Sequence, residues 1–446
     1  MVASLDVRVK GGETMSGPTD AAALFDSARG VLAGGVSAAA RIHPYLERPF
    51  YQARGAGPYI EDLTGRRFID FNMSNGAAML GHDDPAVRAA VIEGLALGII
   101  AGAETAHHER LARTLTAIIP AAERVRFATN GSDVTMIAVR LARHATGRTR
   151  IVKFDGHYHG LTELFLYKRD EAGAVVPSSG GVPPAWGDDV LMTPWNDAAA
   201  FEELMARHGD EIAAVICEPV HFNAGCIPPA PGFLELLRER TSATGSVLIF
   251  DEVLSGFRMA LGGVQEWSGV TPDLCTLAKA LSNGLPLAAV AGRADLMAGF
   301  APEGPVAHSG TYSGHPLSIL AGQATLDALR RPGVYDALNA LAESFYRDLQ
   351  GIFDRHGVPV QVQGLGARFG LYFGRREPVT TYADAAAHDH ELHHRFVVAC
   401  LERGLFLPAY TRQGPPGHNG FSLAHTPAVL ADALAIMADA AGSLRA

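Results

Sequence analysis

The sequence of 446 residues has few cysteines, few aromatic residues and no long run of one charge. Its four cysteines form no CxxC pair, so a disulfide framework is not expected. The net charge of −10 is spread along the chain without a block of Lys or Arg, so nucleic acid is not expected as a partner. The apolar stretches are shorter than a bilayer span, and the N-terminus lacks an apolar signal region. The few unpaired cysteines, the dispersed charge and the lack of a long apolar segment predict a soluble cytoplasmic protein that neither crosses nor binds a membrane.

What the chain has instead is a regular alternation of helical patterns with short apolar strands between about residues 85 and 330. The predicted strands are RIVKF (150–154), AAVICEP (213–219), SVLIFDEV (246–253) and LAAVAGR (287–293). Strands and helices that alternate in this way are typical of βαβ units and of a mainly parallel sheet covered on both faces. The sequence therefore predicts an α/β fold.

The pattern changes after about residue 330, where a smaller α+β domain is predicted. A long helix is expected over 334–356, strands near 359–374, a helix over 386–403 and a short final helix. A β-hairpin is predicted over 57–71 and is expected to pack with this smaller domain. The predicted division is an N-terminal arm and part of the small domain in 1–70, a large domain in 71–330, and a discontinuous C-terminal small domain in 331–446.

Two charged residues stand where apolar strands are expected to end. Asp251 closes the apolar run of SVLIFDEV, and a carboxylate there is costly to bury unless a cation meets it. Lys279 follows in LAKALSNGLP, between apolar runs, where burial lowers the pKa of an amine and makes it nucleophilic. The alternatives are a helix N-cap for Asp251 and a lysine that reaches solvent from a buried stem for Lys279.

Two turns add binding groups to this picture. In RFATNGSDVTMIAVRLAR (126–143) a strand leads through Asn130, Gly131 and Ser132 into an amphipathic helix, whose first N–H groups could bind a phosphate. FDGHYHG (154–160) ends another strand and places Tyr158 where an aromatic ring could stack on a flat cofactor. No metal site is expected there or at His390 and His394 of HDHELHH (388–394), because neither cluster completes a zinc-ligand pattern.

Taken together, these segments resemble the class III, fold-type I aminotransferases, and the resemblance covers nearly the whole chain. The matching segments are ARGAGPYIEDLTGRRFIDF, GHDDPAV, TNGSD, HYHG, ICEPV, FDEV, LAKALSNGLP and HSGTYSGHPLS, in the order of the family. The resemblance implies a transaminase that depends on pyridoxal 5'-phosphate, as a homodimer with active sites shared between subunits. Its partners would be a small-molecule amino donor and a keto-acid acceptor.

The resemblance also implies a role for each site residue. Lys279 would form the Schiff base with the cofactor, and Asp251 would pair with its ring nitrogen. The remaining cofactor contacts would be Tyr158 and Val253 on the two ring faces, Glu218 near the cofactor, Gly131 and Ser132 at the phosphate, and Thr311 of the neighbouring subunit at the same phosphate. The phosphate turn reads Asn130-Gly131-Ser132-Asp133, where the family usually has Ser-Gly-Thr/Ser-Glu, so the side-chain contribution of Asn130 departs from the family pattern.

Within the family, GGVSAAAR (34–41), EPVHFNAGCIPP (218–229) and LFLPAYTRQGPPGHNGFSLAHT (405–426) are similar to the branch of aromatic β-amino-acid (β-phenylalanine) aminotransferases and glutamate-1-semialdehyde aminomutases. Arg412, in a loop rich in Gly and Pro, is a candidate clamp for a substrate carboxylate, and Arg41, or failing it Arg54, is the candidate on the opposite side. For each arginine the alternative is a surface ion pair. A 2,1-aminomutase, an ω-amine transaminase and a cofactor-binding protein without turnover remain as alternative functions.

Overall fold

The computed structural model describes residues 20–98 and 100–444. The first 19 residues, which make up most of the predicted N-terminal arm, lie outside this range. Within it, none of the helices combines the length and the apolar character that a membrane crossing requires.

The strands fall into one large sheet and several small ones. In chain order they are β1 Ile42–His43, β2 Arg48–Pro49, β3 Gln52–Ala56, β4 Tyr59–Asp62, β5 Arg67–Asp70, β6 Arg124–Ala128, β7 Arg150–Phe154, β8 Tyr167–Arg169, β9 Val175–Pro177, β10 Val190–Thr193, β11 Ile212–Cys217, β12 Val247–Glu252, β13 Leu274–Leu277, β14 Ala288–Gly292, β15 Val360–Leu365, β16 Arg368–Phe373, β17 Leu405–Phe406 and β18 Asn419–Gly420.

The helices surround these sheets. They are α1 Ala21–Arg29, α2 Pro85–Ala96, α3 Ala106–Ile118, α4 Gly131–Thr146, α5 Ala198–His208, α6 Phe233–Thr244, α7 Gly263–Ser268, α8 Ala294–Met297, α9 Pro316–Leu329, α10 Val334–His356, α11 Tyr382–Ala386, α12 His390–Glu402 and α13 Pro427–Ser443.

The large sheet has the order β10-β7-β11-β12-β13-β14-β6 within the described residues. Its strands run parallel from β10 to β13, and β14 and β6 are antiparallel to their neighbours. Every residue of β11 and β12 is buried, because helices cover both faces of the sheet and leave no solvated side. The predicted mainly parallel sheet is confirmed, and β12, which ends in Asp251 and Glu252, is its central strand.

The predicted hairpin is formed by β4 and β5, which pair antiparallel. Its turn is stabilised by Asp62, whose carboxylate accepts hydrogen bonds from the N–H groups of Thr64 and Arg66, and Gly65 supplies the positive φ of 81° that the turn requires. β5 pairs in parallel with β17, so residues near the two ends of the chain share one four-stranded sheet in the order β17-β5-β4-β3.

The C-terminal helices agree with the sequence prediction in part. Helix α10 covers the predicted 334–356, between Gly333 and Gly357, both at positive φ. The helix predicted over 386–403 begins only at His390, because the Asp389 side chain caps it by accepting from the N–H of Leu392. The prediction of a short final helix was wrong: α13 has 17 residues, since its alanine-rich sequence contains no helix breaker between Pro427 and Gly442 and its apolar face is buried.

Candidate active site

The carboxyl ends of the parallel strands open into a cavity of about 560 Å³, which we call the lysine cavity. A ligand site in this position is expected for an open parallel sheet. The lysine cavity is lined by most of the residues that the sequence singled out: Asn130, Gly131, Ser132, Tyr158, Glu218, Asp251, Val253 and Lys279. Strands far apart in the sequence therefore bring the predicted site together at one edge of the sheet.

Asp251 lies near the end of β12 with only 4% of its surface exposed. One carboxylate oxygen, Oδ1, accepts from the N–H of Val253 at 3.1 Å and from the Thr276 hydroxyl at 3.0 Å. The other, Oδ2, is 2.7 Å from Nδ1 of the buried His159. These donors hold the carboxylate at the cavity wall, and within the described ranges no Lys or Arg side chain lies within 4.0 Å of it.

Lys279 follows β13 and begins a 3₁₀ turn, Lys279–Ser282. Its backbone has φ of +45°, a left-handed conformation that is unfavourable for a residue with a side chain and that is concentrated at functional sites. Burial lowers the pKa of its amine to about 8, although the carboxylates of Asp251 and Glu218 act in the opposite direction. The unprotonated, nucleophilic form of the amine is therefore more populated near neutral pH than in an ordinary lysine.

The first turn of α4 forms another wall of the lysine cavity. Asn130 caps the helix, its side-chain oxygen accepting from the N–H of Asp133 at 3.1 Å, and Ser132 Oγ accepts from the N–H of Leu161 at 3.1 Å. A Cβ at Gly131 would lie 3.0 Å from Cγ1 of Val253, so any larger residue there would require the Val253 side chain to shift. The helix N-terminus thus presents N–H groups and the positive end of its dipole to the cavity, which favours an anion such as phosphate.

Glu218 follows β11 and is fully enclosed at the edge of the lysine cavity. It accepts from the N–H of Tyr158 at 2.9 Å and from that of Asn223 at 3.4 Å. Burial raises the pKa of its carboxyl group to about 7, so it changes charge near neutral pH. Glu218 can therefore hold or release a proton beside the amine of Lys279.

The chain belongs to the class III aminotransferases: the family model Aminotransferase class-III matches residues 43–412. It is 43% identical over 391 residues to the glutamate-1-semialdehyde 2,1-aminomutase of Thermomicrobium roseum, covering 86% of this chain and 90% of that protein. Among solved structures, an omega-transaminase from Sphaerobacter thermophilus matches with a TM-score of 0.89 and 34% identity, covering 98% of this chain and 99% of the other. A β-phenylalanine aminotransferase from Variovorax paradoxus matches with a TM-score of 0.84 and 33% identity, covering 94% and 93%.

These similarities confirm the fold-type I architecture and identify the protein as a transaminase that uses pyridoxal 5'-phosphate. The residues of the lysine cavity fit this cofactor. The α4 N-terminus suits its phosphate, the Asp251 carboxylate suits a protonated ring nitrogen, and the Lys279 amine suits its aldehyde.

A second cavity, of about 380 Å³, borders the same loop as the lysine cavity, and we call it the arginine cavity. It is lined by Arg41 together with polar side chains that include Gln52, Asn72, Ser74, Asn75 and Tyr410. The two cavities meet at one loop, since Gly284 lines the arginine cavity and Leu285 lines the lysine cavity.

The other sequence-predicted residues lie outside both cavities. Arg412 forms an ion pair with Glu47 at 2.6 Å and donates to the backbone oxygen of Pro44 at 2.9 Å. Arg54 is exposed on β3, and Thr311 is exposed in the turn before α9.

The histidines of the HDHELHH segment have contacts of their own. His390 Nε2 is 3.1 Å from the backbone oxygen of Gly414, and the ring of His394 stacks on Tyr45 with centroids 4.2 Å apart.

Sequence reasoning missed His159 and Thr276 as partners of Asp251. A histidine a few residues beyond the end of β7, two strands away from β12 in the sheet, was the available signal for the first of these.

Proposed function

We propose that the enzyme transfers an amino group from an aromatic β-amino acid such as β-phenylalanine to a keto acid such as 2-oxoglutarate or pyruvate, by a ping-pong mechanism. The observation that supports this most is the position of Arg41. Arg41 lines a polar cavity that shares a loop with the lysine cavity. The walls of the lysine cavity include the apolar side chains of Leu254 and Leu285. An apolar wall suits an aryl group and an arginine suits a carboxylate, and a β-amino acid carries both.

The same proposal assigns a role to each residue of the lysine cavity. Lys279 would carry the cofactor covalently, and Asp251 would pair with its ring nitrogen. Tyr158 and Val253 would pack on the two faces of the ring, and Glu218 would lie beside it. Gly131, Ser132 and the Asn130 cap would bind the phosphate, and Thr311 of the neighbouring subunit would complete that contact.

When bound, pyridoxal phosphate supplies an electron sink that stabilises negative charge on the substrate carbon. The protein provides the proton transfers around it. Lys279 Nζ, with its lowered pKa, takes a proton from the substrate carbon as a base and returns it as an acid. Asp251 keeps the proton on the ring nitrogen, and its own charge is stabilised by donors from Val253, Thr276 and His159.

The proposed donor is tested by offering β-phenylalanine, 1-phenylethylamine and glutamate-1-semialdehyde separately to the enzyme loaded with cofactor. We expect β-phenylalanine to bleach the absorbance of the aldehyde form, and a keto acid to restore it. Turnover of 1-phenylethylamine without turnover of β-phenylalanine would replace our proposal by an ω-amine transaminase.

The second candidate function is a 2,1-aminomutase, which the 43% identity to the Thermomicrobium roseum aminomutase favours. An aminomutase retains its substrate through both half-reactions and needs no keto acid. Conversion of glutamate-1-semialdehyde in the absence of any keto acid would identify this activity, and the need for a stoichiometric keto acid would exclude it.

Removal of the candidate arginines should separate the two substrates. We expect Arg41→Ala to raise the KM for β-phenylalanine and Arg412→Ala to raise the KM for 2-oxoglutarate. Each rise should be about tenfold to a hundredfold, because a charge-assisted hydrogen bond contributes roughly 1.5–3 kcal/mol. Arg412 can leave Glu47 for a substrate, since an exposed ion pair is worth only about 0–1 kcal/mol.

Steady-state kinetics at saturating co-substrate measures both effects. Arg113→Ala is the control, because this arginine is exposed on α3 and pairs with Glu109 in the preceding turn. If Arg54→Ala raises the KM for β-phenylalanine and Arg41→Ala does not, Arg54 holds the carboxylate instead of Arg41.

We also propose that the subunit divides into an N-terminal arm and part of the small domain in 1–70, a large domain in 71–330 and the rest of the small domain in 331–446. We further propose that the enzyme is a homodimer with shared active sites. Exposed apolar side chains support the dimer, because patches of this kind mark interfaces. Leu161, which is 70% exposed, lines the lysine cavity, and Tyr312 beside Thr311 is 63% exposed.

Thr311→Ala is expected to weaken cofactor binding by about tenfold to a hundredfold, because one hydrogen bond to a charged phosphate is lost. Equilibrium dialysis of the cofactor measures this, and sedimentation checks that the variant still associates. A monomeric wild-type enzyme with full activity would contradict both the dimer and the shared site.

A further inference from the structure

Two buried arginines near the active site have no acidic partner. Arg258, between β12 and α7, and Arg368, at the start of β16, are each 1% exposed. Neither lies within 4.0 Å of a carboxylate among the residues that the structure describes. Burial lowers the pKa of both guanidinium groups, that of Arg368 to about 10, but an arginine stays charged at neutral pH. A buried charge without a partner destabilises the fold, which points to a role other than stability.

Both guanidinium groups bind backbone oxygens of one short turn, residues 72–76. Arg368 Nη2 donates to the backbone oxygen of Asn72 at 3.4 Å, and Arg258 Nη2 donates to that of Gly76. A Cβ at Gly76 would lie 2.5 Å from Nη2 of Arg368, so this guanidinium is in direct contact with the turn. The two arginines therefore hold the turn at its beginning and at its end.

The turn has an unusual backbone and forms part of the wall of the arginine cavity. Met73, Ser74 and Asn75 have φ of 49°, 55° and 52°, a left-handed conformation that residues with a side chain rarely adopt. Asn72, Ser74 and Asn75 line the arginine cavity. Left-handed residues persist where their surroundings hold them, and they are concentrated at functional sites. The two guanidinium groups thus lie directly behind the wall of the cavity in which Arg41 is the candidate carboxylate ligand.

The charges at the arginine cavity are unbalanced. Among the described residues that line it, Asp70 supplies one carboxylate, which accepts from the N–H groups of Asn72 and Met73 at 2.8 and 3.1 Å. Burial lowers the pKa of His43, which also lines the cavity, to about 4, so this ring stays neutral. One guanidinium group in the wall and two behind it exceed this single carboxylate, so the cavity has a positive potential that suits an anion.

The same charges act on the neighbouring lysine cavity. Burial is the main cause of the lowered pKa of the Lys279 amine, and the charges of Arg258 and Arg368 act in the same direction, against the carboxylates of the site. A cation that disfavours a protonated amine also favours an anion nearby, since both effects have the same Coulombic origin. The charge of the two arginines therefore reaches the place where a substrate would lie.

We propose that Arg258 and Arg368 are specificity-determining residues that favour an amino donor with a carboxylate. From behind the cavity wall they hold the left-handed turn in place and supply positive charge for the carboxylate at Arg41, without touching the substrate themselves. The inference rests on the proposed role of the arginine cavity as the carboxylate site. Arg41 is exposed, whereas the charges of the two buried arginines are screened less by salt.

Two unreactive ligands of the same shape measure this effect on the holoenzyme. 3-Phenylpropanoate has a carboxylate and no amine, and 3-phenylpropanamide is its neutral counterpart. The variants are Arg258→Lys, Arg258→Met, Arg368→Lys and Arg368→Met. Both replacements lack the planar guanidinium fork, and they differ mainly in charge. By calorimetric titration we expect the Kd of the propanoate to be about tenfold higher in each Met variant than in the matching Lys variant, and that of the amide to be alike.

The pH dependence of the cofactor absorbance provides a readout without any ligand. Loss of a positive charge makes the nitrogen of Lys279 easier to protonate, so the titration midpoint should be higher in Arg368→Met than in Arg368→Lys. Arg148→Met is the control. Arg148 also donates to backbone oxygens, those of Ile212 and Thr244 at 3.0 and 2.9 Å, but lies outside both cavities. This variant should leave both Kd values and the midpoint unchanged.

Arg41→Ala keeps the test decisive if the buried variants do not fold. With the charge behind the wall intact, this variant should still bind the propanoate about tenfold more tightly than the amide. Equal binding of the two ligands by Arg41→Ala or by the wild type would overturn the proposal, as would equal propanoate Kd values or equal midpoints in the Lys and Met variants at either position. Failure of the proposed function is recognised separately, as a wild type that prefers the propanoate but does not turn over β-phenylalanine.

Discussion

Replacing Lys279 by alanine is expected to reduce transamination by at least about four orders of magnitude. In the proposed mechanism the variant loses the group that moves the proton at the substrate carbon, and general acid–base catalysis alone contributes roughly 10²–10⁴-fold. It also loses the covalent attachment of the cofactor. Stopped-flow absorbance at saturating donor measures the remaining rate, and circular dichroism verifies that the fold survives.

Reduction of the wild-type holoenzyme with borohydride and peptide mapping provides an independent check. Lys153 is the matched comparison, because it is also buried and burial also lowers its pKa to about 8. Its amine donates to the backbone oxygens of Phe165 and Tyr167, and it lies outside the lysine cavity. The adduct is expected on Lys279, and an adduct on Lys153 would refute the assignment.

Replacing Asp251 by asparagine should reduce kcat by roughly two to four orders of magnitude, because removing one partner of a buried ion pair costs about 3–5 kcal/mol. The substitution also disturbs the local hydrogen bonds. Val253, Thr276 and His159 all donate to this carboxylate, so the amide nitrogen of asparagine faces a donor in either orientation.

Single-turnover kinetics and the absorbance spectrum of the bound cofactor measure this effect. Glu252→Gln is the control on the neighbouring residue. Glu252 is equally buried but lies outside the lysine cavity, where it accepts from Val264 and Gln265. The control should retain a kcat close to that of the wild type, and near-native kcat in Asp251→Asn would contradict the role of Asp251.

The large sheet and the centre of the site could be predicted because their signals are local. An apolar run that stops at a carboxylate marks the end of a buried strand, and the sheet then brings Asp251 and Lys279 together without further information. The phosphate turn was equally visible, because Asn130 caps the helix that begins one residue later.

The remaining features depend on contacts that no local pattern encodes. His159 meets Asp251 across 92 residues, and only the order and register of β7, β11 and β12 bring them together. The direction of an arginine in a loop is set by its neighbours, so the sequence could not tell that Arg41 lines a cavity and that Arg412 contacts Glu47. The length of α13 was missed because its packing against α10 and α12, which no local pattern encodes, maintains it.

The pairing of β5 with β17 has a consequence for how the protein is made. Arg66, at the start of this region, donates to the backbone oxygen of Glu402, which is 336 residues further along the chain. At a synthesis rate of roughly 5–20 residues per second, the free edge of β5 waits for tens of seconds before its partner strand leaves the ribosome. An unpaired strand edge can pair with other chains during that time. Slow translation of the second half of the gene should therefore lower the yield of native enzyme more than slow translation of the first half.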